Sequence, residues 1–170
     1  MTPSRGFTLL EVMIVMLLIG VVASMAVLGS GLGLQGNPAE QAARRLQALA
    51  QLAADEAVLG GEAVGLGLTR GGYAFLQQRL VDPTTYAWQP LETEGALRPR
   101  TLDARQLDLE LRVEGVPVSL PAASATPAPQ IYFDATGDIT AFALRLAGRE
   151  PDDPAWVLDS TNGRLRLLPD

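Results

Sequence analysis

The run Ser4-Arg5-Gly6-Phe7-Thr8-Leu9-Leu10-Glu11-Val12-Met13-Ile14-Val15-Met16-Leu17-Leu18-Ile19-Gly20-Val21-Val22-Ala23 decides how the chain is read. The apolar stretch continues to Leu34, and after Glu11 no charged residue appears until Glu40. A bilayer core about 30 Å thick takes about 20 helical residues, so residues 7–34 are long enough to span one. Arg5 and the amino terminus sit on one flank, while the other is uncharged as far as Glu40. The positive-inside bias therefore puts the N-terminus in the cytoplasm and the bulk of the chain on the far side.

Glu11 separates this run from a plain anchor or a secretory signal. A signal peptide places its cleavage site after the apolar core, and Ser24-Met25-Ala26 has the small residues for one. Neither a signal nor an anchor gains from an acid within the apolar segment, where it costs about 2.5–3.5 kcal/mol at mid-membrane depth. A glutamate snorkelling to the interface is the bland reading; an intramembrane carboxylate with a function is the sharper one.

The segment Arg5-Gly6-Phe7-Thr8-Leu9-Leu10-Glu11-Val12-Met13-Ile14-Val15 resembles the class III leader of type IV pilins and pseudopilins. In that family a membrane peptidase cuts between Gly and Phe, methylates the new Phe amine and leaves the apolar helix in place. The resemblance implies cleavage between Gly6 and Phe7, N-methylation at Phe7 and an assembly role for Glu11. It covers about the first 25 residues and implies a leader at 1–6 and a transmembrane assembly helix at 7–34; the helix and strand signals that follow divide the rest into a periplasmic helix section at 37–60 and a periplasmic β domain at 61–170.

The inventory points away from an enzyme. The chain of 170 residues has no Cys and no His, and all 13 basic residues are Arg. Disulfides, thiol nucleophiles and Cys zinc sites are excluded, as are Ser-His triads and lysine Schiff bases. No cofactor is expected. The formal net charge of −6 becomes one unit more negative if Arg5 leaves with the leader. That balance disfavours general binding to nucleic acid or anionic lipid, although local basic patches are compatible with it.

Beyond the apolar run, Gly29-Ser30-Gly31-Leu32-Gly33 and Gly36 loosen a helix, since each interior Gly costs about 1 kcal/mol against Ala. A kink, a melted turn or a restart is expected between Gly29 and Pro38. Asn37-Pro38-Ala39-Glu40 reads as a helix start: an N-cap, Pro at the first helical position and an acid three residues after the cap. The helix should run over about 38–59 and stop at Gly60-Gly61. Leu46, Leu49, Ala50, Ala53 and Ala57 share one face, expected against the domain's own sheet. Glu40, Arg44, Gln47, Gln51 and Asp55 share the opposite face.

From Gly61 the period changes to that of strands. Val64, Leu66 and Leu68 alternate, Arg70-Gly71-Gly72 turns, and residues 73–78 return. Residues 86–91 form a weaker strand. Leu107, Leu109, Leu111 and Val113 alternate with polar residues. Strands follow at 131–133 and 139–146, and a hairpin pairs 156–160 with 164–168 around Asn162-Gly163. Seven or eight short strands after one helix imply mainly antiparallel sheets. Residues 116–130, with Pro117, Pro121, Pro127 and Pro129, read as an exposed, mobile loop; residues 148–154 form a shorter acidic one.

Gly72-Tyr73-Ala74-Phe75, Ile131-Tyr132-Phe133-Asp134-Ala135-Thr136-Gly137, Trp156-Val157-Leu158 and Asn162-Gly163-Arg164-Leu165 are similar to the GspH/FimT family. That likeness implies an α+β, pilin-like fold, with a long N-terminal helix packed on a mainly antiparallel β-sheet or sandwich domain. It implies a minor pseudopilin of a type II secretion system near the tip of a periplasmic filament, in the inner membrane of a Gram-negative bacterium. The partners implied are other minor pseudopilins, the major pseudopilin, the prepilin peptidase and methyltransferase and the inner-membrane platform. The outer-membrane secretin and the exported proteins are further candidates. The alternative reading is a minor pilin of a type IV pilus, for assembly or DNA uptake.

Three constellations have bland readings. Asp134 and Asp138 flank Gly137, but the chain turns straight back at Ile139, which suits a hairpin turn better than a calcium loop. Asp152 and Asp153 face the same objection. Arg98, Arg100 and Arg105, and separately Arg164 and Arg166, read as solvated faces paired with nearby acids rather than a phosphate-binding surface. No helix follows Gly65 and Gly67 to make a nucleotide loop.

Overall fold

The computed structural model describes residues 13–16, 37–82, 84–92, 95–150, 152–161 and 163–170. The chain divides into two units, Met1–Gly36 and Asn37–Asp170. In the first, residues 13–16 form a turn of helix whose four apolar side chains are all exposed. The rest of the apolar run, including the expected break after Gly29, lies outside the described residues. Among the described residues no helix is long and apolar enough to cross a membrane.

Helix α1 (Pro38–Gly60) opens the second unit. Asn37 has a non-helical ψ of 132°, and its Oδ1 accepts a hydrogen bond from the Ala39 N–H at 2.7 Å. Pro38 occupies the first turn, where its missing N–H costs nothing. Gly61 ends the helix at φ 67°, in the left-handed region that a residue without Cβ enters freely. Removing the cap with Asn37→Ala should lower stability by about 1 kcal/mol. Thermal melting of a soluble fragment that retains Gly36 would register this as a fall of several degrees.

The buried positions of α1 are Ala39, Ala43, Leu46, Ala50, Ala53 and Ala57, spaced alternately by four and three. The packed stripe thus begins two turns before the expected one, and Leu49 sits at its margin, half-buried. Alanine at five of the six positions lets the helix axis come close to the strands below. The helix contacts strands of both sheets.

One sheet contains β1 (Val64–Thr69), β2 (Gly72–Asp82), β3 (Thr85–Pro90), β4 (Arg100–Thr101) and β7 (Ile131–Phe133). Its order is β3-β2-β1-β7, and β4 extends the β3 edge of β2 by pairing with Gly72 and Tyr73. The other sheet contains β5 (Leu107–Val113), β6 (Val116–Val118), β8 (Phe142–Gly148), β9 (Ala155–Thr161) and β10 (Arg164–Pro169), in the order β10-β9-β8-β5-β6. Every pairing is antiparallel. The core joins Phe75, Phe133, Leu66, Leu68, Ile131, Leu144, Leu146 and Leu158 to the helix stripe. Phe75 is its aromatic centre, edge-on to Tyr73 at 6.1 Å and tilted against Phe133 at 6.4 Å.

Residues 116–130 are the expected exposed loop only in part. Residues 116–118 pair with β5 as β6, and the stretch that follows lies across the outer face of β1. All six residues of β1 are buried, Gly65 and Gly67 included. A Cβ at Gly65 would fall 2.6 Å from Pro129 Cβ, and one at Gly67 2.8 Å from the Ala128 carbonyl oxygen. The two glycines leave a bare channel of backbone, and the Pro-rich strap fills it. Gln130 fixes the strap: its Oε1 accepts from Leu68 N–H at 2.7 Å and its Nε2 donates to Leu68 O at 3.0 Å. Its own N–H donates to Leu66 O. A side-chain amide thus continues the ladder where β7 stops, satisfying backbone groups that burial would otherwise leave unpaired.

Smaller differences have local causes. β2 continues past Gln78 to Asp82 because β3 pairs with its outer half. β8 begins at Phe142, since Ile139 is spent in an isolated bridge to Phe133.

Candidate functional site

Gly6, Phe7 and Glu11 lie outside the described residues. Of the run that contains them, Met13, Ile14, Val15 and Met16 are 44–66 % exposed.

The acidic constellations are turns. Asp134 O accepts from Gly137 N–H, and Asp138 O accepts from Asp134 N–H. Asp134 Oδ1 accepts from Thr136 N–H, and Asp138 Oδ2 from the Thr136 hydroxyl. These carboxylates already close the hairpin. Asp153 similarly accepts from Glu150 N–H. Among the described residues no group of acids converges as a cation site would require.

The arginines divide. Arg166 pairs with Asp159 at 3.1 Å across the β9–β10 ladder, and both Arg164 and Arg166 are exposed. Arg105 is likewise exposed and stands apart from Arg98 and Arg100. The other two meet a third arginine that the sequence reading left aside. Pro38, Gln41, Ala42 and Arg45 lie at helical spacing on one face of α1 and form one wall of a recess of about 360 Å³. Arg98, Pro99, Arg100, Thr101 and Leu102 form the other, with Tyr73 between them.

Arg98 stands in the bend two residues ahead of β4, and the register sets Arg100 opposite Tyr73. Carbonyls hold the two guanidiniums: Arg98 donates to Gly95 O at 3.0 Å and Arg100 to Ala96 O at 3.1 Å. No described acid forms an ion pair with Arg45, Arg98 or Arg100. Arg100 Nε is buried with no hydrogen-bond partner. Tyr73 is only 3 % exposed. Burial pushes its phenol pKa up, against the opposing pull of Arg100 and Arg45, so both cations lie within electrostatic reach of its hydroxyl. The helical spacing of Arg45 was readable, but its meeting with residues 98–102 depends on the long-range β2–β4 pairing.

A second basic contact is structural. The Arg44 guanidinium stacks 5.4 Å from the Trp156 ring and pairs with Glu40 at 2.8 Å. It ties the outer side of α1 to β9.

The sequence model of the family described as type II transport protein GspH matches residues 42–166, and the prokaryotic N-terminal methylation motif matches residues 1–27. Type II secretion system protein H of Pseudomonas aeruginosa is 33% identical over 97% of this chain and 95% of its own length. The Escherichia coli protein of that name is 29% identical over 96% of this chain and 98% of its own. The solved minor pseudopilin EpsH from the type 2 secretion system of Vibrio cholerae has a TM-score of 0.60 at 26% identity, covering 77% of this chain and 96% of that one. The expected α+β architecture, a helix on antiparallel sheets, is therefore the one found, and the chain belongs to the GspH family of type II transport proteins.

Proposed function

We propose that this chain is a minor pseudopilin of a type II secretion system, assembled near the tip of the periplasmic pseudopilus that drives protein export. The observation that carries this reading is the union, in one chain, of a methylation motif at residues 1–27 with a GspH domain over residues 42–166. The type IV pilus alternative accounts for the first but not the second. Its work is structural rather than catalytic: it inserts, is processed, and packs among other pseudopilins and components of the secretion machinery.

Processing releases residues 1–6 by cleavage between Gly6 and Phe7, with N-methylation of the new Phe7 amine. Residues 7–34 hold the subunit in the inner membrane, N-terminus cytoplasmic, and the domain from Asn37 stands in the periplasm. A carboxylate among apolar helices must take up a proton or find a cation. For Glu11 the cation is the methylated Phe7 amine of an adjacent subunit. Such a pair offsets part of the burial cost and sets the axial register of neighbouring helices, the best-attested use of a buried ion pair.

Glu11→Ala should leave cleavage after Gly6 intact, because the cut lies outside the apolar core, while incorporation into the filament collapses. The measurement is co-purification of the other pseudopilins with wild-type and Glu11→Ala chains, each verified as processed by intact mass. Equal recovery of partners together with full secretion by the variant would remove Glu11 from assembly.

A further inference from the structure

β1 starts at Val64, opposite Gln77, so β2 beyond that point keeps β3 along one edge and loses β1 along the other. A recess of about 400 Å³ opens there, with Glu62, Gln77, Gln78, Tyr86, Trp88 and Tyr132 in its walls. Tyr86 and Trp88 stand two apart on β3 and so share a face. Gly65 lets the Trp88 ring lie across the sheet, since a Cβ there would fall 3.2 Å from it. The ring reaches Tyr132 of β7 at 5.7 Å between centroids, and the Tyr132 hydroxyl is held by donating to Pro129 O at 3.3 Å. Tyr86 is nevertheless 66 % exposed and Tyr132 41 %. Grouped rings left in water mark a contact surface, which scattered apolar residues do not.

Charge narrows what the surface takes. The recess beside α1 and the groove beside β5 each hold three arginines, whereas this one holds none. Its one charged group is Glu62, whose Oε2 accepts from Gln77 Nε2 at 2.6 Å. That amide orients the carboxylate without neutralising it, and Glu62 forms no ion pair among the described residues. Ring faces are also negative, so walls and carboxylate present one sign of potential. The same pairing of ring and acid is filled elsewhere in the chain: the Arg44 guanidinium lies over Trp156 at 5.4 Å and pairs with Glu40 at 2.8 Å.

We propose that Glu62, Tyr86, Trp88 and Tyr132 form a docking site for an arginine side chain of a partner polypeptide. The planar guanidinium stacks on the rings while its N–H edge meets the Glu62 carboxylate. Arginine suits the site better than lysine because its cation is flat and more weakly hydrated, and so loses less on leaving water. The net charge of −6 draws a basic segment towards the domain at longer range.

The test uses the full-length 15N-labelled chain in tetraethylene glycol monooctyl ether, a detergent with neither a sugar nor an ammonium headgroup to compete. The two Trp indole N–H signals are told apart with Trp156→Phe. The titrants are acetyl-Gly-Arg-Gly-amide, the same peptide with neutral citrulline for arginine, triproline and chitotriose. The arginine peptide should move the Trp88 signal and leave that of Trp156 in place, and the citrulline peptide should bind about fivefold more weakly. Glu62→Gln should weaken arginine binding about fivefold, and Tyr86→Ala about threefold. Both side chains are exposed, so neither change touches the core. Glu56→Gln, an equal charge change on the exposed side of α1, should bind as wild type does. Added salt should weaken the arginine peptide and not the neutral one. Equal binding of arginine and citrulline peptides, tighter binding of triproline or chitotriose, or full binding by Glu62→Gln would overturn the proposal. So would joint movement of both indole signals, which reports a global change. A Trp88 signal that shifts with protein concentration before any peptide is added would give the site to a second copy of this chain instead.

Discussion

Phe75→Ala is expected to lower the stability of the domain by about 3–5 kcal/mol, the range for deleting a large buried aromatic. Phe75 is fully buried, touches Tyr73 and Phe133, and sits on β2 opposite Leu66 of β1. Its removal takes away transferred area and two aromatic contacts and leaves a cavity where β2 is fixed on both edges. A domain of this size holds roughly 5–15 kcal/mol in all, so the loss should appear as a fall of about 10–20 °C in Tm. The fragment from Asn37 carries the whole core cluster and should melt cooperatively, with no response to reductant because there is no Cys. A Phe75→Ala loss below about 1 kcal/mol, or a wild-type fragment that aggregates unless another pseudopilin is supplied, would mean that the core is completed by a second chain.

Gly6→Leu is expected to leave the full-length precursor in the membrane, uncut and unmethylated. A residue without Cβ can enter a protease cleft as extended backbone where a branched side chain cannot. On the proposed pairing of the Phe7 amine with Glu11, the defect should propagate to the filament: no incorporation, and no export that depends on this subunit. Intact mass separates the outcomes. The wild-type chain should begin at N-methyl-Phe7 and keep its apolar run. A wild-type terminus near Val27, as signal peptidase would generate, would refute both the cleavage site and the retained anchor. Complete processing of Gly6→Leu would refute the requirement for glycine.

Local rules located most elements because their signals are local. Asn37, Pro38 and Gly61 mark the ends of α1 by capping chemistry, which depends only on neighbouring backbone. Asn162-Gly163 marks the last hairpin for the same reason. Strict alternation marks β5 and the inward face of β1. β4 and β6 escaped detection: they have two and three residues, and they exist only because β2 and β5 offer them an edge.

The sequence by itself determined what chemistry the chain can carry. With no Cys, His or Lys, composition excludes thiol, imidazole and lysine-amine chemistry, and the order Arg5-Gly6-Phe7 ahead of Glu11 and an apolar run carries the methylation motif, because such a signal is read along the chain. It also determined that a helix with a small-residue stripe precedes antiparallel strands. The tertiary structure alone decided where the Pro-rich stretch goes and which arginines act together. Gly65 and Gly67 look like weak points in a strand until Pro127, Ala128 and Pro129 occupy the space their missing side chains leave. Arg45 and Arg100 are 55 residues apart in the sequence, and their joint action on Tyr73 depends on β4 pairing with β2 beneath α1. Both features are contacts between distant segments, whose register depends on the folding of every element between them.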